Sequence, residues 1–214
     1  AYKPNSAFYE AHGSEGIMQL RETCHFLREQ YPEIPIVLDF KRADIGNTNS
    51  YYTDFAFNRL GVDAVTIHPY LGREAVQPFL DHADKGVIVL CRTSNDGAAE
   101  FQDLEVDGKK LYLRVAENVK NNWNTNGNCL LVTGATYPEE LAEIRATIGN
   151  EMWLLVPGIG AQGGDVAATV KAGGEHQIIA SSRAIIYASN GDNFAKAAAT
   201  EARKTRDEIN KYRS

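Results

Sequence analysis

The stretch PIVLDFKRADIGNT, residues 35–48, joins a continuous apolar run to a dense cluster of charged side chains. The run at 35–39 does not alternate between apolar and polar residues, which is typical of a strand with both faces buried. The stretch that follows, near 48–60, is long enough for a helix. A strand, a polar loop and a helix in this order predict one β/α unit.

The same order of elements recurs along the whole chain. Five more continuous apolar runs predict strands at 63–67, 86–91, 128–132, 152–156 and 176–180. Further helical stretches lie near 15–30, 71–83, 109–123, 137–148, 164–173 and 191–212. Strands that alternate with helices of this length indicate βαβ units and a parallel sheet.

The number of units decides between two architectures. With residues 1–5 interpreted as the end of a strand, the chain has seven β/α units. A closed (β/α)8 TIM barrel needs eight units and about 250 residues. We therefore expect an α/β barrel that lacks its first β/α unit, with residues 1–214 as a single, N-terminally incomplete domain. The alternative is an open doubly wound sheet, although no GxGxxG motif supports a dinucleotide-binding version.

Composition excludes several classes of partner. The chain has 22 basic and 28 acidic residues, and its net charge of −6 argues against nonspecific nucleic-acid binding. No apolar run approaches the roughly 20 residues of a membrane span. The cysteines Cys24, Cys91 and Cys129 show no CxxC or metal-ligand spacing. We therefore expect a cytoplasmic protein that binds no nucleic acid, membrane or metal.

The charged cluster after the strand at 35–39 has the spacing Asp-x-Lys-x-x-Asp. Asp39 and Lys41 are two residues apart, so both point to one side of an extended strand end, and Asp44 follows on the next turn. A lysine between two carboxylates relieves their repulsion, stays charged and can donate a proton. A strand-end salt bridge followed by a helix-capping aspartate accounts for the same spacing equally well.

Two loops near the end of the sequence have the composition of a phosphate site. Residues 158–164 contain four glycines, which allow close backbone approach and expose N–H groups to an anion. Arg183 follows the last predicted strand and suits the bidentate geometry of phosphate. Alone, the glycines are typical of a flexible loop and the arginine is typical of a surface ion pair. Together, after the last two strands of a barrel, they predict phosphate binding.

Two further polar positions follow strands. Ser94 lies in the cluster at 91–98, which is either a plain turn or a loop whose serine hydrogen-bonds a polar heterocycle. His68 also follows a strand, and a lone histidine in such a place is more often a structural residue than a catalytic one.

In this order, the clusters resemble those of the orotidine 5'-phosphate decarboxylase family, in its bacterial branch with long loops. The resemblance covers nearly the whole chain and is most specific at AYKPNSAFYE (1–10), VLDFKRADIGNT (37–48) and VPGIGAQGGD (156–165). It implies decarboxylation of orotidine 5'-phosphate to uridine 5'-phosphate and CO2 in pyrimidine biosynthesis. It also implies that there is no cofactor and that the enzyme is a homodimer with shared active sites.

The resemblance assigns catalytic roles to four side chains. Lys3, Asp39, Lys41 and Asp44 match a Lys-Asp-Lys-Asp network, in which Asp39 faces the carboxylate of the substrate and Lys41 protonates C6. Asp44, together with Thr48, is implied to cross a dimer interface into the site of the neighbouring subunit.

The resemblance also assigns the binding residues. Ser94 and Gln162 are implied to contact the pyrimidine and the phosphate. Arg183, with the backbone of Gly163 and Gly164, is implied to clamp the phosphate. Ile45 and Pro157 are implied to line the apolar wall around the departing CO2.

The sequence departs from the family pattern in two places, and two alternative functions stay open. The family usually begins with a strand ending in a ribose-binding aspartate about one β/α unit before Lys3, and this sequence has no such segment; Asp96 also stands where a proline is usual. One alternative is a Mg²⁺-dependent sugar-phosphate decarboxylase or aldolase that shares Asp-x-Lys-x-x-Asp. The other is an inactive, truncated barrel that binds nucleotides. The loop GAQGGD and Ser94 favour the pyrimidine substrate.

Overall fold

The computed structural model of the protein describes residues 1–159 and 164–213. Within this part of the chain, six parallel strands form one sheet in the order β1-β2-β3-β6-β7-β8, and two short strands form an antiparallel hairpin. The sheet strands are β1 Val37–Arg42, β2 Ala64–Ile67, β3 Gly86–Arg92, β6 Cys129–Thr133, β7 Leu154–Pro157 and β8 Gln177–Ala180. The hairpin strands are β4 Glu105–Val106 and β5 Lys109–Lys110.

Helices connect the sheet strands. The α-helices of the described residues are α1 Ser6–Glu10, α2 Gly13–Gln30, α3 Gly46–Thr53, α4 Gly72–Leu80, α5 Ala99–Gln102, α6 Leu111–Asn118, α7 Pro138–Ile148, α8 Val166–Gly173, α9 Arg183–Ile186 and α10 Phe194–Asn210. Two of them, α3 and α6, continue into π-helical segments at Asp54–Arg59 and Val119–Trp123. No described helix is both long and apolar enough to cross a membrane.

The strand order confirms the predicted fold class. The sheet strands follow one another in chain order, without the reversal that defines a doubly wound sheet. Residues 2–5 add a seventh parallel segment beside β1, through the bridges Tyr2↔Ile36 and Asn5↔Asp39. All six predicted sheet strands are present, with boundaries that differ by up to three residues. Four elements are not predicted from the sequence, because they are too short to show a clear period: α1, the hairpin, α5 and α9.

The chain divides into two compact units. One comprises residues 1–90 and 118–130, and the other holds the rest of the described chain. The largest fully buried side chains of the first unit are Leu20, Ile36, Leu38, Leu60, Ile67, Phe79, Leu80 and Ile88. Those of the second are Arg92, Tyr112, Leu131 and Leu141. Full burial of one large apolar side chain contributes about 1.5–3 kcal/mol, so each unit has a core of its own. A single domain over residues 1–214 stays a prediction.

Local sequence explains where the helices of the second unit begin. Helix α7 starts with Pro138 and carries Glu139 and Glu140 in its first turn. Helix α8 starts after Asp165, whose side chain accepts the N–H of Ala168 at 3.0 Å. Asp165 thus satisfies a backbone N–H of the first turn that otherwise has no partner. Proline has no N–H to leave unpaired, and the glutamates place negative charge at the positive end of α7.

Arg145 ties the elements of the second unit together. Its buried guanidinium donates to the carbonyl oxygens of Gly149, Met152, Gly173 and His176 at 2.7–2.9 Å. These carbonyls lie at the end of α7, before β7, at the end of α8 and before β8. One charged side chain thus satisfies four backbone acceptors. We infer that it holds the connections from α7 to β7 and from α8 to β8 in place.

We expect Arg145→Met to lower the free energy of unfolding by about 3–5 kcal/mol, because it leaves buried carbonyls without a donor. Urea unfolding monitored by circular dichroism measures this loss. Arg21→Met, at an exposed position of α2, is the control and should change stability by less than about 0.5 kcal/mol. Equal losses in the two variants would contradict the assignment.

Candidate active site

A buried carboxylate with four donors lies in the middle of β1. Only 7% of the surface of Asp39 is exposed, and both oxygens of its carboxylate accept hydrogen bonds. Oδ1 accepts from Lys41 Nζ at 2.6 Å and from Thr66 Oγ1 at 2.9 Å. Oδ2 accepts from Lys3 Nζ at 3.0 Å and from Asn5 Nδ2 at 3.3 Å. The structure therefore brings together three of the four side chains assigned to the charged network.

The lysines determine the ionisation of Asp39. Burial on its own would raise the pKa of Asp39, but the charges and hydrogen bonds of Lys3 and Lys41 outweigh burial and hold that pKa below its ordinary value. The carboxylate is therefore ionised at neutral pH. The side chain of Lys41 is 47% exposed and that of Lys3 is 14% exposed, so the ammonium of Lys41 is the more accessible to a ligand.

The backbone at Lys41 differs from the extended strand end expected from the spacing. Lys41 has φ of +48°, in the left-handed region that is rare for a residue with a side chain. Leu38 pairs with Val65 and Arg42 pairs with Ile67, so three residues of β1 oppose one residue of β2. The contact of Lys41 with Asp39 thus forms through a bulge and not through a regular strand. Such strain is typical of functional sites.

Asp44 takes part in no ion pair with another described residue of its chain. Its Oδ1 accepts the N–H of Ile45 at 2.6 Å, and its backbone N–H and carbonyl bond the buried side chain of Asn49. Among the described residues, no ion pair or hydrogen bond joins Asp44 to Lys41. The approach of Asp44 to Lys41 from the next turn therefore does not form, because the bonds to Asn49 hold the backbone of Asp44 at the start of α3.

Two other predicted residues lie in the same segment. Thr48 is half-buried in the first turn of α3, and Ile45 is 62% exposed just before it. His68 lies after β2, where its Nε2 is 3.1 Å from the carbonyl oxygen of Ala43. This contact supports the structural role that the sequence favours for His68.

A buried arginine shapes the loop that carries Ser94. Arg92, the last residue of β3, is 2% exposed and pairs with Asp103 at 2.8 Å. It also donates to the carbonyl oxygen of Thr93 at 2.8 Å, and its guanidinium lies 4.4 Å from the ring centroid of Tyr137. The fork geometry and aromatic stacking of arginine favour such a buried position.

Ser94 is half-buried and packs against the residue that follows β6. A Cβ atom added to Gly134 would lie 2.7 Å from Cβ of Ser94, so only glycine allows this approach. The loop is further held by Gln102, whose side chain bonds both the N–H and the hydroxyl of Thr93. Asp96, at the position where the family usually has proline, is exposed in the short turn that follows.

The two predicted phosphate loops leave neighbouring strands at the same level. Pro157 at the end of β7 is in register with Ala180 at the end of β8. Gly164 donates its N–H to the carbonyl oxygen of Gly158 at 3.2 Å, and an added Cβ would lie 2.9 Å from that oxygen. The N–H of Gly164 is therefore already engaged, contrary to the free donor suggested by the sequence. Arg183 is exposed at the start of α9.

Two of the predicted residues, Gln162 and Gly163, lie outside the described residues. Two side chains that donate to Asp39, those of Thr66 and Asn5, are not predicted from the sequence. The only signal for Thr66 is that it is a polar residue between apolar neighbours in the run at 63–67.

Comparison with known proteins places the chain among its relatives. Residues 1–198 match the model of the orotidine 5'-phosphate decarboxylase / HUMPS family. The chain is 56% identical to the orotidine 5'-phosphate decarboxylase of Janthinobacterium sp. (strain Marseille), over 99% of this chain and 79% of that protein. It is 51% identical to the corresponding protein of Cellvibrio japonicus, over 100% of this chain and 79% of that protein.

Solved structures agree with these relatives. Leishmania donovani OMP decarboxylase superposes with a TM-score of 0.84 at 39% identity, over 98% of this chain and 81% of that one. Leishmania donovani UMP synthase gives a TM-score of 0.86 at 41% identity, although this chain spans only 46% of that protein. The family model, the identities and the shared fold together show that this chain belongs to the orotidine 5'-phosphate decarboxylase / HUMPS family.

Proposed function

We propose that this chain decarboxylates orotidine 5'-phosphate to uridine 5'-phosphate and CO2 in pyrimidine biosynthesis, without a cofactor. The observation that carries the proposal is the buried carboxylate of Asp39 between the ammonium groups of Lys41 and Lys3, at 2.6 and 3.0 Å. Relatives at 50–56% identity over the whole chain bear the name of this enzyme.

Lys41 is the group that takes part in the chemical step. The bond between C6 and the carboxylate carbon breaks, CO2 leaves, and the electron pair stays on C6. A proton then moves from Nζ of Lys41 to C6, and water returns a proton to the lysine. Only stabilisation that grows towards the transition state accelerates this step. A fixed ammonium beside C6 supplies it, since negative charge develops there.

Asp39 complements this action through its fixed charge. Because Lys3 and Lys41 keep it ionised, Asp39 presents a negative charge to the carboxylate of the bound substrate. Two neighbouring carboxylates repel each other, and the repulsion ends when one of them leaves as neutral CO2. Ser94 and Gln162 contact the pyrimidine and phosphate in this scheme, while Ile45 and Pro157 line the space for CO2.

Three free, buried cysteines support a cytoplasmic location.

We expect Lys41→Ala to remove nearly all turnover, by at least about a thousandfold, because the proton donor and the charge beside C6 are lost. Affinity for uridine 5'-phosphate should change much less. Lys41→Arg should not restore turnover, since a guanidinium is a poor proton donor. Decarboxylation rates and product titrations measure both effects, with Lys171→Ala at an exposed position of α8 as the control.

Three results would contradict this assignment. Substantial turnover in folded Lys41→Ala would exclude Lys41 as the donor and make Lys3 the next candidate. Activity that disappears in a chelator and returns with Mg²⁺ would favour the sugar-phosphate decarboxylase or aldolase alternative. Wild-type protein that binds uridine 5'-phosphate without any turnover would favour the inactive nucleotide-binding barrel.

We also propose that Arg183 and the loop around Gly163 and Gly164 bind the phosphate. The register of Pro157 with Ala180 supports this, because both loops start beside each other at one edge of the sheet. Loops at this edge, after the last strands of a barrel, commonly hold phosphate.

We expect Arg183→Ala to weaken binding of uridine 5'-phosphate by about ten- to a hundredfold, since charge-assisted hydrogen bonds to phosphate are lost. Binding of uridine, which has no phosphate, should not change. Calorimetric titration of both ligands provides the measurement, and Arg203→Ala at an exposed position of α10 is the control. Unchanged affinity for the phosphorylated ligand would count against Arg183.

A homodimer that shares its active sites is part of the proposal. Asp44 makes no ion pair with Lys41 in its own chain, which leaves it available to a partner subunit. Large apolar side chains are exposed just before α3, on α3 and in the loop after β2, namely Ile45 at 62%, Tyr51 at 75% and Tyr70 at 91%. A two-fold interface would bury the same surface on both subunits and bring Asp44 and Thr48 to the neighbouring site.

We expect the inactive variants Lys41→Ala and Asp44→Asn to recover about a quarter of wild-type activity when coexpressed. Random pairing makes half of the dimers mixed, and each mixed dimer has one intact site of two. Lys41→Ala coexpressed with Asp39→Asn is the control and should recover nothing, because both residues belong to one chain's site. No recovery with Asp44→Asn would place Asp44 in the site of its own chain.

A further inference from the structure

Thr66 lies beneath the charged cluster and bonds two of its members. It is the third residue of β2 and is 1% exposed. Its Oγ1 is 2.9 Å from Oδ1 of Asp39 and 3.0 Å from the backbone nitrogen of Lys41. One hydroxyl therefore contacts both the buried carboxylate and the main chain of the proposed proton donor.

The chemistry of the partners sets the direction of both hydrogen bonds. An ionised carboxylate only accepts, and a backbone N–H only donates. The single proton of the Thr66 hydroxyl must therefore point to Asp39, while a lone pair of the same oxygen receives the N–H of Lys41. This arrangement allows one orientation of the hydroxyl, and each bond keeps the other in place.

The sheet register shows why this hydroxyl is at that position. Asp39, Phe40 and Lys41 of β1 lie between the paired positions of the two strands, and Thr66 is the one residue of β2 opposite them. A bulge interrupts the regular ladder of backbone hydrogen bonds. The N–H of Lys41 is donated to a side chain instead, in a residue that has the left-handed backbone with φ of +48°. Such a conformation persists only where its surroundings hold it.

We propose that Thr66 is a positioning residue for the decarboxylation, one that fixes the carboxylate of Asp39 and the left-handed backbone of Lys41 through a single hydroxyl. This inference rests on the proposed function. Thr66 acts through these two residues, and the ammonium of Lys41 is held 2.6 Å from Oδ1 of Asp39 as a result. Loss of the hydroxyl releases both constraints, so the ammonium no longer has one defined position beside C6.

Thr66→Val tests the proposal because valine keeps the shape of threonine and removes both hydrogen bonds. We expect kcat to fall by about ten- to a hundredfold, the range for losing one or two such bonds, with affinity for uridine 5'-phosphate within about threefold. Thr66→Ser keeps the hydroxyl and should retain kcat within about threefold of wild type. Rescue by serine separates positioning from packing, since serine lacks the methyl group.

Thr133→Val is the matched control. Thr133 ends β6, is fully buried, and its hydroxyl has no hydrogen-bond partner among the described residues. The same substitution there should leave kcat unchanged. Urea unfolding of all variants, with kcat referred to folded protein, removes any contribution of stability. Thr66→Ala replaces Thr66→Val if the valine variant does not fold.

Folded Thr66→Val with kcat within twofold of wild type would overturn the proposal, as would an equal loss of kcat in Thr66→Ser. A crystal structure of Thr66→Val gives a readout that does not depend on turnover. We expect Lys41 to leave the left-handed region and its contact with Asp39 to lengthen, and an unchanged arrangement would contradict the inference. A wild-type protein without decarboxylase activity would contradict the proposed function but not the positioning by Thr66. The crystal structure of Thr66→Val tests that positioning independently of turnover.

Discussion

The ion pairs of Asp39 are the constraint on which the arrangement of the first unit depends. A carboxylate that is moved from water to a protein interior costs several kcal/mol unless charges and hydrogen bonds compensate. Here two ammonium groups, an amide and a hydroxyl all donate to it, from residues on three neighbouring segments. Residues 2–5, β1 and β2 must therefore keep one register, and the bridge between Asn5 and Asp39 is part of it.

Backbone strain lies at Lys41, the residue that we propose as the proton donor. Lys41 has a backbone conformation that costs on the order of 1 kcal/mol or more for a residue with a side chain. Its neighbours along and across the sheet are fully buried apolar residues, such as Leu38 and Ile67, which hold the strands around the bulge. The buried strands thus hold the ammonium of Lys41 in a fixed position. Electrostatic catalysis requires a charge that is preorganised in this way.

In the second unit, buried arginines join separate segments of the chain, as the buried carboxylate of Asp39 does in the first. Arg145 satisfies four carbonyl oxygens, and Arg92 joins Asp103, the carbonyl of Thr93 and the ring of Tyr137. Arginine suits both places because its planar group has five donors in fixed directions and remains charged when buried. Lysine has one compact charge and three rotatable donors, and in the first unit two lysines pair with the buried carboxylate of Asp39. The two units therefore use the two basic residues for different tasks.

The sequence by itself determined the class of the fold and the cluster around Asp39 and Lys41. Continuous apolar runs alternate with helical stretches, and this local period reports burial on both faces of parallel strands. The same reading could not show the left-handed backbone of Lys41, the engaged N–H of Gly164, or the separation of Asp44 from Lys41. Tertiary structure also decided the role of Thr66, which is 27 residues from Asp39 in the chain. Side-chain periodicity records which face is buried, whereas contacts between strands depend on register, and a bulge changes the register without a local signal in the sequence.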